Sequence, residues 1–268
     1  MNCCPAILSA ALLVSASLRA ADVPVTPVPP EQSLQQLAQQ TKDLLALPVT
    51  VTNRPVWQQT LTLGLTMARG NQDSSLATGK FLAQRKSATN EFSLGLDGAY
   101  GENNTIKNYE TLHGFGQANH FFTRHAFAFG RIDGLHDGIK DIDYRFTVSP
   151  GVGYYLLRQT NLSLAMETGP SLVTERQGSV DETYAAWRVA ERFEYKLNAT
   201  TRLWQGAEFI PQVDKPENYI VNADLGIEVA ITKKMGLQIY LQDNFVSQPV
   251  AGYKNNDLRL VSGVSFKF

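Results

Sequence analysis

From Trp57 onward, apolar and polar residues alternate with a period of two. Leu61, Leu63, Leu65 and Met67 alternate with Thr60, Thr62, Gly64 and Thr66, and Phe92, Leu94, Leu96 and Tyr100 with Ser93, Gly95, Asp97 and Ala99. The pattern returns at Tyr144, Phe146, Val148, Val152 and Tyr154, and again at Val221, Leu225, Ile227 and Val229 against Asn222, Asp224, Gly226 and Glu228. Successive side chains of a strand point to opposite faces, so this pattern predicts strands with one apolar and one polar side. Several run to about ten or more residues. That suits a tilted strand crossing a bilayer, which needs about 9–11, whereas strands of soluble proteins average about five or six.

Laid in order, the strands number roughly twelve, an even number as bacterial membrane barrels use. They fall near Val56–Met67, Ser75–Arg85, Glu91–Tyr100, Asn108–His120, His125–Gly134, Ile142–Leu156, Asn161–Thr174, Tyr184–Leu197, Thr201–Val213, Tyr219–Ile231, Met235–Phe245 and Leu258–Phe268. Every second connection is short, as in Phe122-Thr123-Arg124, Arg158-Gln159-Thr160 and Thr232-Lys233-Lys234. The others are mostly longer, as in Ala68–Ser74, Gly101–Lys107, Glu175–Thr183 and Ser247–Asp257. Short periplasmic turns opposite longer outer loops are a barrel pattern that a β-sandwich has no reason to produce. The predicted fold is therefore all-β, a transmembrane antiparallel up-and-down barrel. The last strand carries Leu258, Leu260, Val264, Phe266 and Phe268 on one face, with Val261 where a polar residue is usual. Gly263, Phe266 and Phe268 belong to an aromatic-ending segment that resembles the signal read by the outer-membrane assembly machinery.

The N-terminal part follows other rules. The apolar run Ala6–Val14 is too short to span a bilayer and leads to Ala20-Ala21, so residues 1–21 read as a signal peptide, although the n-region lacks Lys and Arg. Both cysteines, Cys3 and Cys4, fall within it, leaving no disulfide framework. Residues 22–55 read as a Pro-rich linker followed by a short periplasmic helix over Glu31–Leu47, stopped by Pro48. Residues 56–268 are the barrel. Over 268 residues the net charge is −1, without the basic excess of a nucleic-acid binder. Aromatic residues at 10% and apolar residues spread throughout exclude a disordered chain.

The segments Leu65–Asn71, Asp141–Arg145 with Gly151–Tyr155, Glu167–Pro170, Phe193–Thr201 and Phe266–Phe268 occur in an order that resembles the YdiY-like family of salt-induced outer-membrane proteins. Their members carry a domain of unknown function. The resemblance covers roughly Trp57–Phe268. It implies a barrel of the outer membrane with a stress-associated name and no established activity.

Candidate chemistry is thin. A barrel phospholipase needs a His and a Ser within hydrogen-bond reach and a third group orienting the His. None of His113, His120, His125 and His136 has a Ser two positions away on its own face. The acidic group Asp133, Asp137, Asp141 and Asp143 around His136 fits no Ca²⁺ loop and reads as a solvated outer loop. Trp57, Tyr100, Tyr109, Tyr154, Tyr155, Tyr184, Trp187 and Tyr253 sit near strand ends, where aromatic girdles form. The inward set Arg145, Arg188, Arg192, Glu194, Lys196, Glu208, Asp224, Glu228, Arg259 and Lys267 is the candidate lumen lining. Two uses of it stay open: ion pairs that fill a narrow lumen, or a water-filled path with an ion preference.

The expectation is a non-enzymatic outer-membrane barrel, a small pore or an envelope structural protein, without cofactor or metal. Its partners are outer-membrane lipid and, during biogenesis, the barrel assembly machinery, with no nucleic acid. The alternatives are a barrel enzyme acting on lipid or peptide, and a soluble periplasmic β-domain.

Overall fold

Long alternating strands with turn residues between them leave each backbone with two unpaired edges. In hydrocarbon those edges have no water to bond, and closing the sheet on itself is how strands satisfy them. The protein does this in a computed structural model that describes residues 56–68, 74–249 and 253–268. The predicted signal peptide, linker and helix of residues 1–55 lie outside the described residues.

The strands are β1 (Trp57–Ala68), β2 (Ser74–Lys86), β3 (Asn90–Asn103), β4 (Ile106–Phe121), β5 (Ala126–Asp137), β6 (Ile142–Arg158), β7 (Leu162–Gln177), β8 (Val180–Lys196), β9 (Thr201–Pro211), β10 (Tyr219–Ala230), β11 (Met235–Val246) and β12 (Asn256–Lys267). Each pairs antiparallel with its neighbours in the chain, and β1 pairs with β12 to close the barrel. An open sandwich is thereby excluded.

The sheet is inside out relative to a soluble protein. Leu65, Phe146 and Leu260 stand on the outer face with 59–67% of their surface exposed, while Glu167, Arg188 and Ser149 are buried within the barrel. A continuous apolar belt of this kind is what lipid covers. Glu191 interrupts it: its alternation places it on the outer side, where Gln205 Nε2 donates to Glu191 Oε1 at 2.6 Å.

Two features depart from expectation. The connections opposite the short turns are not uniformly long, because the strands continue into projecting hairpins. β3 and β4 are joined by Asn104 and Thr105 alone, and β7 and β8 by Gly178 and Ser179. Asn104 and Thr105 both have positive φ, at 49° and 65°. That is the backbone of a type I′ turn, whose twist matches the strands it joins. The aromatic girdle is also only partial. Trp57, Tyr100, Tyr154 and Trp187 face outward, but Tyr155 packs inside against Phe121 and Phe127, and Tyr184 donates to Glu175. Tyr154 and Tyr155 are adjacent, so a strand must send them to opposite faces.

Closure depends on close backbone approach. The β1–β12 register runs only from Thr60↔Lys267 to Leu63↔Val264, the shortest among the described strands. A Cβ on Gly263 would lie 2.6 Å from the Leu63 carbonyl oxygen, and one on Gly64 would lie 2.5 Å from the Ser262 carbonyl oxygen. Backbone cannot yield there as a flexible side chain can. Gly263→Val is therefore expected to abolish the compact, heat-sensitive gel band of the refolded barrel. Gly130→Ala, where an added methyl meets nothing within 4 Å, should keep that band. At the β3–β4 turn, Thr105→Gly removes a β-branched residue from a left-handed conformation. Denaturant unfolding should show a gain of about 1 kcal/mol.

Candidate functional site

The ten inward candidates all lie on the inner face, where alternation along β6 and β8–β12 sends them, and the structure distributes them over three groups. The largest crosses the lumen. Glu167 on β7 accepts from Arg188 Nη1 at 3.0 Å and from Gln117 Nε2 of β4 at 2.9 Å, and pairs with Arg192 Nη2 at 2.6 Å. Because β5 and β6 lie between β4 and β7, the Gln117 bond spans the interior rather than the wall. Arg188 also donates through Nε to Glu208, and its guanidinium stands 5.5 Å from the Phe129 ring centroid.

From these residues the hydrogen bonds continue both ways. Glu208 accepts from Asn222 at 3.0 Å, and Asn222 accepts from Asn244 at 2.6 Å. In the other direction, Arg131 donates to Gln117 Oε1 at 3.1 Å and to both oxygens of Asp133 at 2.8 and 2.6 Å. His113 lies between two carboxylates, with Nδ1 3.0 Å from Asp97 Oδ1 and Nε2 3.5 Å from Asp133 Oδ1. One polar chain thus runs from β3 to β11. The charges in it are paired or hydrogen-bonded, as burial requires. Asp224 occupies space that Gly206 leaves open, since a Cβ there would lie 2.6 Å from Asp224 Oδ1.

The second group sits at the end that carries the short turns. Glu228 pairs with Arg202 Nη2 and Lys267 Nζ, both at 2.7 Å, and accepts from Ser265 at 3.2 Å. Glu194 faces Arg202 at 3.5 Å, and Lys196 ends the inward row of β8. The third group is at the loop end. Arg145 donates to Glu175 at 2.5 Å, and Arg259 donates to Gln242 at 2.5 Å and, on β4, to Thr111 at 3.5 Å. Lys140, in the β5–β6 loop, reaches Asn244 at 2.6 Å and Asp257 at 2.5 Å. The β5–β6 and β11–β12 connections are six strands apart around the barrel, so this side chain spans the mouth.

Sequence reading missed Asp97, Arg131, Asp133, Lys140, Glu167, Glu175 and Arg202 as members of the network. For those on strands the signal was present: each falls on the inner parity of its strand. Lys140 lies in a loop, and only the fold brings it across. The acidic group around His136 is not a cluster. Asp133 points into the lumen, Asp137 is buried and caps Ile139 and Lys140, and exposed Asp143 faces Arg176. His136 Nδ1 lies 2.9 Å from the Asp143 carbonyl oxygen. Among the described residues no group of three His, Cys, Asp or Glu side chains is placed to hold a metal ion. The terminal Phe266 pairs with Leu61 and Met235 across both neighbouring strands, and the Phe268 amide donates to the Gln59 carbonyl at 3.0 Å.

Removing one member of a buried ion group leaves its partners charged and unpaired, which costs about 3–5 kcal/mol. Arg188→Met should lose stability of that order in denaturant unfolding from lipid vesicles. Adding Glu208→Gln to it should recover part of the loss, because one stranded carboxylate is removed.

Solved structures share this architecture. The NanC porin matches with a TM-score of 0.50 at 9% identity, over 79% of this chain and 100% of the porin. The COG4313 outer membrane channel from Pseudomonas putida F1 matches with a TM-score of 0.50 at 12% identity, over 83% of this chain and 97% of the channel. Identities this low speak for the fold alone. No curated protein matches the chain in sequence. A family model described as a protein of unknown function, DUF481, matches residues 61–268, nearly the whole barrel, and the chain belongs to that family.

Proposed function

We propose that this chain is a non-enzymatic protein of the outer membrane, of the salt-responsive type its motifs resemble, whose lumen rests closed behind a network of paired charges. The observation that carries this reading is contact across the lumen between elements that are not neighbours: Gln117 with Glu167, Arg259 with Thr111, and Lys140 with Asn244 and Asp257. An open pore holds its charged lining apart in water, whereas these side chains meet. The apolar belt and closed wall support a membrane location. With both ends of the barrel and the short turns on the periplasmic side, the hairpin loops face outward. The C-terminal Gly263, Phe266 and Phe268 fit a client of the barrel assembly machinery, and residues 1–21 the signal that exports it.

The histidines support a non-catalytic reading. His113, His120 and His136 have Asp97 and Asp133, Asn90, and a backbone carbonyl as polar partners, and none of these is a serine to be activated. His125 stacks on Tyr154. A His held between two carboxylates has an orienting group on each side and no nucleophile.

Refolded protein in a planar bilayer should show no sustained conductance. Replacing the residues that cross the mouth, Lys140→Ala with Arg259→Ala, should produce open levels. A large steady current from the unaltered barrel would sink the closed reading. Fractionation of cells grown at low and high salt should place the protein in the outer membrane and show it rising with salt.

A further inference from the structure

The ion pairs are not symmetric in how their partners meet water. At the turn end of the lumen, Glu228 has 2% of its side chain exposed while its partners Arg202 and Lys267 have 34% and 42%. Glu167 is fully covered while Arg192 has 36% exposed, and Glu91 has 5% exposed against 59% for Lys86. Arg202 and Glu194 are the even case, at 34% and 37%. Lys196, on the inner face of β8 and exposed, has no ion pair among the described residues. Glu228 and Glu91 thus stand in the wall while Arg202, Lys267 and Lys86 reach the water; Arg192 keeps Nε and Nη2 covered. Formal charge nearly cancels, yet the surface a solute meets is positive.

At the opposite end the order is mixed: Lys107 is slightly more exposed than Glu110, and other pairs are reversed. Lys140 has 15% of its side chain exposed against 49% for Asp257, and Asp143 and Asp181 are more exposed than the Arg176 they share. A second feature marks the turn end. A recess of about 610 Å³ between the β2–β3, β4–β5 and β6–β7 turns is lined by Arg124 and Arg158 together with Thr89, Thr123 and Thr160. The Arg158 guanidinium lies there over two rings, 4.4 Å from the Phe121 ring centroid and 4.8 Å from that of Tyr155.

We propose that the turn end of the lumen is a binding vestibule for small multivalent oxyanions, solutes carrying phosphate or carboxylate groups. Lys196, Arg202 and Lys267 supply exposed charge along an arc from β8 to β12; Glu228, the carboxylate that Arg202 and Lys267 share, is covered, while Glu194 stands exposed beside Arg202. Low-dielectric walls strengthen the attraction of a cleft whose exposed charge is predominantly of one sign. Guanidinium groups suit the paired oxygens of phosphate and carboxylate. This rests on the barrel reading, and on a turn end open to water rather than on conduction, so the bilayer experiment and the one below can fail independently.

The test is isothermal titration calorimetry of the refolded barrel in zwitterionic detergent, with pyrophosphate and citrate as separate probes and spermidine as the oppositely charged control. Both anions should bind, more weakly as salt is raised, and spermidine should not. Binding of one anion alone would still support the site and would assign phosphate or carboxylate as the chemistry it takes. Lys196→Gln and Lys267→Gln should each weaken anion binding by about fivefold, in the range of a partly exposed charge contact. Lys196 has no ion partner to strand, and Glu228 keeps Arg202 when Lys267 is changed, so both variants should retain the folded gel band. Lys254→Gln, in the loop at the opposite end, should leave binding unchanged. Failure of both anions to bind, equal loss in Lys254→Gln, or comparable binding of spermidine would overturn the proposal.

Discussion

Every part of this molecule depends on one constraint: a strand in hydrocarbon must find a partner for each backbone donor and acceptor. A single antiparallel sheet meets that demand only by becoming a ring. Once it is a ring, alternation assigns each side chain either to lipid or to the lumen. The outer row is then bound to be apolar, and polar residues that would crowd the surface of a soluble protein collect inside. Arg188 and Glu167 are buried here because closure of the wall leaves them nowhere else to point.

That confinement explains the character of the interior. Charges taken out of water are costly unless their partners are close and their remaining hydrogen-bonding positions are filled. The protein fills them with amides and with shared carboxylates: Gln117 joins Arg131 to Glu167, Asn222 joins Glu208 to Asn244, and Glu228 serves Arg202 and Lys267 together. Because several of these bonds leap across strands, the lining acts as internal bracing as well as neutralisation. Lys140 adds a brace at the mouth, tying a loop to the wall opposite it.

The fold was legible because its constraint is local in sequence. Period-two alternation, turn residues and strand length are properties of short windows, so all twelve strands are found close to the expected positions. The hairpin tips were less legible. Beyond the membrane the alternation rule relaxes, and strands such as β8 continue through Val180–Thr183 without an apolar face. The inner face of β8 could be read from parity, but not which residues would touch. Gln117 meets Glu167 only because the ring's curvature brings β4 toward β7, and no spacing within either strand records that distance. Glu191 went unread for the opposite reason. It obeys parity and breaks composition, standing on the outer face with Gln205 as its partner.

The short seam between β1 and β12 also places the molecule's construction in time. Each of the other pairings joins strands adjacent in the chain, so hairpins can form with small loops to close. The β1–β12 pairing joins Thr60 to Lys267, and the entropy of closing a loop grows with its length. It is the step that local contacts reward least, and so the natural last one. Until it happens, β1 and β12 present bare edges of the kind that pair with other chains. The glycines at that seam therefore matter doubly. They let two backbones meet at close range, and they set how long the unfinished barrel stays open to the wrong partner.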